Sequence, residues 1–128
     1  MPTAENLDLV RNQTRLIDVR APIEFKQGHM PNSINLPILT DEERHRIGIV
    51  YKQQGNEAAV RVGHKLVSGS VRAERIARWL DACKDHPQTQ VMCWRGGQRS
   101  TLAQTWLEEA GAIQKKVAGG FKALRQVC

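Results

Sequence analysis

The chain has 128 residues, 41% of them hydrophobic and 25% charged, the size of one compact domain with enough apolar material for a two- or three-layer core. No run approaches the roughly 18 apolar residues of a membrane span, and the start MPTAENLDLV lacks the basic and apolar stretches of a signal peptide, so a soluble cytoplasmic protein is expected. A formal charge of +6 favours anionic partners without choosing between RNA and a small oxyanion, and three scattered cysteines, Cys83, Cys93 and Cys128, suggest neither a disulfide framework nor a zinc site.

Arg15 to Arg20 (RLIDVR) has the short β-rich core of a buried strand, stopped by Pro22. A helical turn around Glu24 to Lys26 leads into Gly28, and turn residues then flank a short apolar strand, Ser33 to Leu36. Thr40 followed by Glu43 is a capping-box signature, which predicts a helix over Asp41 to Gln54 ending at Gly55. A second helix is expected over Glu57 to Val67. The spacing of Val71, Ile76, Trp79, Leu80 and Cys83 predicts a third, with Arg72, Arg75 and Arg78 on or near its polar side. Gln90 to Cys93 reads as another core strand. Leu102, Ala103, Trp106, Leu107 and Ala110 then fall at helical spacing up to Gly111. Lys116 to Ala118 is expected as a last strand, with Gly119 and Gly120 turning into a terminal helix over Lys122 to Val127. Strands alternating with helices predict an α/β domain, a mostly parallel sheet flanked by helices on both faces.

Cys93 stands where a core strand gives way to a glycine loop and a helix start. Free backbone N–H groups at a helix start and in a curled loop form a positive concavity that holds an anion, and the same field lowers a cysteine's pKa. Gly96 and Gly97 allow that curl through positive φ, and Arg95 and Arg99 add charge. Arg99 can offer a planar fork to an oxyanion, while Ser100 can cap the helix or donate its hydroxyl. Taken alone, Cys93 fits a small buried hydrophobe; between a strand and a two-arginine glycine loop, it fits a nucleophile better.

The remaining candidates read mainly as structure. Asp18, Arg20 and Glu24 lie at a strand end and the next turn, where an Arg20–Glu24 ion pair or Asp18 bonds to loop backbone would brace the sheet edge. His29 holds a turn in the first reading and touches ligand in the second. His45, His64 and His86 show no metal-ligand spacing with a cysteine, so no metal is expected. Trp79, Trp106 and Cys83 belong to the core, whereas Trp94 either shapes the pocket wall or meets a base. Arg61, Lys65, Arg72, Arg75 and Arg78 read as solvated helix faces ahead of an RNA-facing patch.

Three blocks resemble the rhodanese family: LIDVRAPIEFKQGHMPNSINLP (Leu16 to Pro37), the active-loop form CWRGGQRS (Cys93 to Ser100) and VAGGFKALRQ (Val117 to Gln126). The stretch Leu36 to Gly69 between them is similar to the N-terminal domain of the tRNA 2-selenouridine synthase family, in which the CWRGGQRS loop also occurs. The resemblance implies a single rhodanese-like domain over residues 1–128 with its active loop at 93–99. It implies that Cys93 accepts selenium from selenophosphate as a selenopersulfide and passes it to a 2-thiouridine-derived base at the tRNA wobble position, with Trp94, Arg95, Gly96, Gly97, Gln98, Arg99 and Ser100 binding the anionic donor. No further cofactor is expected. That family continues into a P-loop domain, and no G-x-x-x-x-G-K-[ST] pattern occurs in these residues, so the chain is expected to be the rhodanese half alone. Sulfur-transferring rhodaneses place four residues between cysteine and arginine, whereas Cys93 and Arg99 enclose five, a wider cradle that suits a phosphate-bearing donor. Two rivals remain open: a cysteine-dependent phosphatase or arsenate reductase, which lacks an evident general acid in the loop, and a non-catalytic rhodanese-like binding module.

Overall fold

The computed structural model describes residues 4–84, 86–94 and 97–125. Three short strands, β1 (Leu16–Asp18), β2 (Ser33–Asn35) and β3 (Gln90–Met92), form a parallel sheet in the order β2-β1-β3. Ile17 sits opposite both Ile34 and Val91, and Asp18 opposite Asn35 and Met92. All three residues of β1 are buried, as expected of a central parallel strand covered on both faces.

The pleat sends alternate side chains to two cores. Ile17 and Val91 pack with Trp79 and Cys83 of α5 (Gly69–Lys84) and with Trp106 and Leu107 of α6 (Gln98–Glu109). Leu16 and Met92 pack on the other face with Leu9 of α1 (Ala4–Arg11) and with Phe121 and Leu124 of α7 (Gly120–Leu124). Trp79 is fully buried and donates its indole N–H to the Leu36 carbonyl at 2.9 Å, which ties α5 to the segment after β2. Among the described residues, no helix is long and apolar enough to cross a membrane.

The remaining helices follow from local chemistry. Pro22 opens α2 (Pro22–Gln27), where its fixed φ and missing N–H suit a first helical position. Thr40 and Glu43 exchange hydrogen bonds of 3.1 and 2.9 Å across the start of α3 (Asp41–Gln54), the reciprocal cap that the sequence predicts. Gly55 at φ +90 turns the chain into α4 (Asn56–Leu66), which lies against α3 as a helical hairpin.

Three expectations change. The N-terminal helix α1 was not anticipated. The last strand is reduced to a single parallel bridge between Val91 and Lys116, because Gly119 and Gly120, at φ +74 and +60, turn the chain into α7 at once. Gly119 is required there: a Cβ at this position would lie 2.7 Å from the Ala123 Cβ. The third change concerns Arg75, which is not solvated but donates to the Ile38 carbonyl at 2.6 Å and to both Glu43 oxygens at 2.8 and 3.1 Å, binding α5 to α3. Its neighbours on α5 are also paired, Arg72 with Glu109 and Arg78 with Glu74. That face therefore offers less free positive charge than its sequence implies.

Candidate active site

β3 ends at Met92, and Cys93, 3% exposed, is the first residue beyond it. Its carbonyl accepts the Phe121 N–H, and the Trp94 carbonyl accepts the Lys122 N–H, both at 2.9 Å. The first turn of α7 thus clamps the root of the loop. At the other end, Gly97 is the N-cap of α6 without a side-chain cap, which leaves the N–H groups of that first turn without an intrahelical or capping acceptor. Gly97 has φ −88 rather than the positive φ expected of it, and a Cβ there would meet nothing within 4 Å. Arg95 and Gly96, also expected in the anion cradle, lie outside the described residues.

The Cys93 Sγ lies 3.2 Å from the Ser100 hydroxyl, which also donates to the Gly97 carbonyl at 3.2 Å. As a thiol Cys93 donates to that hydroxyl; as a thiolate it accepts the hydroxyl's one proton, which then turns away from the Gly97 carbonyl. Burial pushes the Cys93 thiol up, but hydrogen bonds from the Ser100 hydroxyl and backbone N–H, the Arg99 charge and the Gly97 backbone together outweigh burial, and the pKa falls below that of an ordinary thiol. Cys83, in contrast, is pushed up by burial, with only partial relief from Gln114 and Arg15. Of these two free, buried cysteines, only Cys93 is prepared to ionise.

Ser100→Ala tests this cause. A lowered pKa keeps the thiolate populated to lower pH, so losing the hydroxyl donor should move the pH midpoint of Cys93 alkylation by iodoacetamide upward. A midpoint that stays in place or falls would assign the shift to the helix start and Arg99 alone.

Arg99 holds Glu24 in a fork, with Nη1 2.5 Å from Oε1 and Nη2 3.2 Å from Oε2. Oε1 also accepts the Ala21 N–H at 3.1 Å and lies 3.3 Å from Arg44 Nε. Burial raises the Glu24 pKa, but Arg99, the Ala21 N–H and Arg44 outweigh it, so this carboxylate stays ionised below the usual range. One side chain thereby joins α2, α3 and α6 at the edge of the loop.

The Arg20–Glu24 pair expected from spacing does not form. Residues i and i+2 of an extended chain point the same way, so Arg20 turns onto Asp18, with contacts of 3.0, 3.0 and 2.7 Å, and donates to the Gly28 carbonyl at 2.8 Å. Asp18 also accepts the Arg20 backbone N–H at 3.0 Å. The Arg20 guanidinium stacks 4.3 Å from the Phe121 ring centroid, so this buried pair braces the helix that clamps Cys93. His29 bonds the Phe25 carbonyl at 2.9 Å and stacks on the Phe25 ring at 3.8 Å, holding a turn. Trp94 packs on Phe121 at 5.9 Å, with Arg125 over its ring at 4.8 Å.

Arg44 is the residue that sequence reasoning missed. It lies just past the capping box, in α3, and no local pattern connects it to Glu24; only the packing of α3 beside α2 and α6 brings it to the site.

A cysteine at the end of a parallel strand, beside the first turn of a helix and an arginine–carboxylate fork, is thus the arrangement that these residues build. Residues 3–126 match the family model of the rhodanese-like domain, and the chain belongs to that family. It is 51% identical over 118 residues to a tRNA 2-selenouridine synthase of Bdellovibrio bacteriovorus, which covers 92% of this chain and 31% of the relative. It is 50% identical over 125 residues to the protein of the same name from Proteus mirabilis, covering 97% of this chain and 34% of that one. The chain thus spans about a third of the length of the curated relatives it matches. A crystal structure of the N-terminal domain of a protein described as ATP/GTP-binding, from Clostridium difficile 630, superposes with a TM-score of 0.80 at 28% identity, covering 88% of this chain and 87% of that one.

Proposed function

We propose that this chain is the chalcogen-carrying part of a tRNA-modifying transferase. Cys93 attacks a sulfur or selenium donor as a thiolate and holds the atom as a persulfide or selenopersulfide, and the acceptor is 2-thiouridine at the tRNA wobble position within a longer protein. The observation that carries this reading is the place of Cys93, buried at the end of β3 with its Sγ 3.2 Å from the Ser100 hydroxyl in the first turn of α6. The names of the relatives support tRNA and selenium as the substrates.

With thiosulfate the loading step balances directly: the Cys93 thiolate bonds to the outer sulfur, the sulfur–sulfur bond breaks, and sulfite leaves with the electron pair. Ser100, Arg99 and the α6 N–H groups stabilise the charge that remains on the persulfide. Selenophosphate, the expected selenium donor, already holds selenium at the selenide level, so forming a selenopersulfide from it leaves phosphite. Attack at phosphorus would instead release hydrogen selenide and leave a phosphocysteine that water hydrolyses to phosphate.

Glu24 argues against the phosphatase alternative. Arg99 and Arg44 hold it ionised, so it has no proton to give a leaving alcohol, and both Asp18 oxygens are taken by Arg20.

The test is intact-protein mass spectrometry after incubation with thiosulfate or selenophosphate, together with peptide mapping, selenium content and ³¹P NMR of the medium. The proposal expects a persulfide on Cys93 from thiosulfate, and protein-bound selenium with phosphite from selenophosphate. Phosphate with free selenide, or aryl-phosphate hydrolysis without any chalcogen adduct, would replace the carrier reading.

A further inference from the structure

Beside the reactive loop, α3, α4 and α6 enclose an open cleft of about 940 Å³. Its size is that of a site for a nucleoside or a somewhat larger ligand. Ile49, Tyr51 and Val60 line it although they are 42%, 57% and 40% exposed, so much of the apolar surface that the fold leaves in water is gathered here. The charged side chains lining it are all basic, and two of them, Arg44 and Arg99, also hold Glu24. Arg44, Lys52 and Arg99 line the cleft with His45 and His64, and among the described residues lining it there is no Asp or Glu. Asn56, Gln98 and Thr101 add hydrogen-bonding groups, and Gln98 and Arg99 place one end of the cleft at the start of α6, beside Cys93.

We propose that this cleft receives single-stranded RNA, with an unpaired base stacked on Tyr51 and a flanking phosphate drawn to Lys52. The inference rests on the proposed tRNA acceptor and assigns it a surface. Exposed aromatic and apolar groups within a cationic rim are what an unstacked base and its backbone require, and RNA loops offer bases in that form whereas duplexes do not. The basic residues of α5 are the poorer candidate because Arg72, Arg75 and Arg78 all hold carboxylates, as Arg44 and Arg99 do at Glu24, whereas Lys52 stands next to the exposed Tyr51.

The experiment is fluorescence anisotropy of a synthetic anticodon stem-loop carrying 2-thiouridine, and of an RNA duplex of equal length, titrated with the chain at several salt concentrations. Tyr51→Ala and Lys52→Glu should each weaken stem-loop binding about tenfold, and Lys52→Glu should also lower the salt slope by about one. Arg78→Glu makes the same change in net charge on the α5 face and should change affinity less than about twofold.

Three results overturn the proposal: no stem-loop binding at low salt, equal affinity for the duplex, or an equal loss in Arg78→Glu. A dimer in sedimentation that Tyr51→Ala dissolves would assign the cleft to a second copy and overturn it as well. Thiosulfate loading of Cys93, measured in the same variants, should match the parent. Absent loading with intact RNA binding rejects the chemistry alone, and intact loading with absent RNA binding rejects the cleft alone.

Discussion

Cys93→Ser is expected to abolish sulfur loading from thiosulfate, a loss on the order of 10³-fold or more, while the chain keeps its fold. The site is built to stabilise an ionised sulfur: the Ser100 hydroxyl and backbone, Arg99 and the Gly97 backbone all act in that direction against burial. A serine hydroxyl in the same place is not ionised by that field and is a far weaker attacker on sulfur. Oxygen for sulfur is a small change in volume beside Ser100, and the carbonyl of residue 93 still accepts the Phe121 N–H. The melting temperature should therefore move by only a few degrees, since a substitution without a cavity or an orphaned charge costs about 1 kcal/mol or less. Intact mass after thiosulfate treatment and a thermal melt check both halves. Loading that persists in Cys93→Ser would move the chemistry to another cysteine.

The loop was legible in sequence because its signals are local. A strand end, a cysteine, two glycines, two arginines and a helical repeat lie within twenty residues, and the helix of Leu102 and Trp106 forms where its spacing places it. The bounds of α3 were legible for the same reason, since the Thr40–Glu43 cap and Gly55 bracket it. The partners of the charged residues were not. Glu24 meets Arg99 across 75 positions and Arg75 meets Glu43 across 32, and nothing in spacing reports which guanidinium faces which carboxylate. Helix α1 escaped notice because it is only eight residues long with an apolar signal of Leu7, Leu9 and Val10, and it is packing on Leu16 and α7 that gives it a buried side. The last strand failed in the opposite sense: Lys116 to Ala118 has strand-like neighbours, but Gly119 and Gly120 take the chain away before pairing can extend.

Arg20→Met is expected to destabilise the domain by about 3–5 kcal/mol, the usual cost of leaving one member of a buried ion pair without its partner. The Asp18 side chain is fully buried and that of Arg20 is 3% exposed. Without the guanidinium, the Asp18 carboxylate keeps only the Arg20 backbone N–H among its contacts here, and the Gly28 carbonyl loses its donor. Against a total stability of about 5–15 kcal/mol for a domain of this kind, that is enough to bring the urea midpoint down by a large fraction. The double variant Asp18→Leu with Arg20→Met removes both charges and should be more stable than Arg20→Met alone, which two urea titrations decide; equal midpoints would mean that the pair is not coupled. The site should feel the same change. Arg20 stacks on Phe121, and the Phe121 N–H holds the Cys93 carbonyl, so Arg20→Met should also slow thiosulfate loading under conditions where the variant is still folded. A buried pair two residues apart in sequence, with no atom on the sulfur, thus acts as a positioning element for the loop.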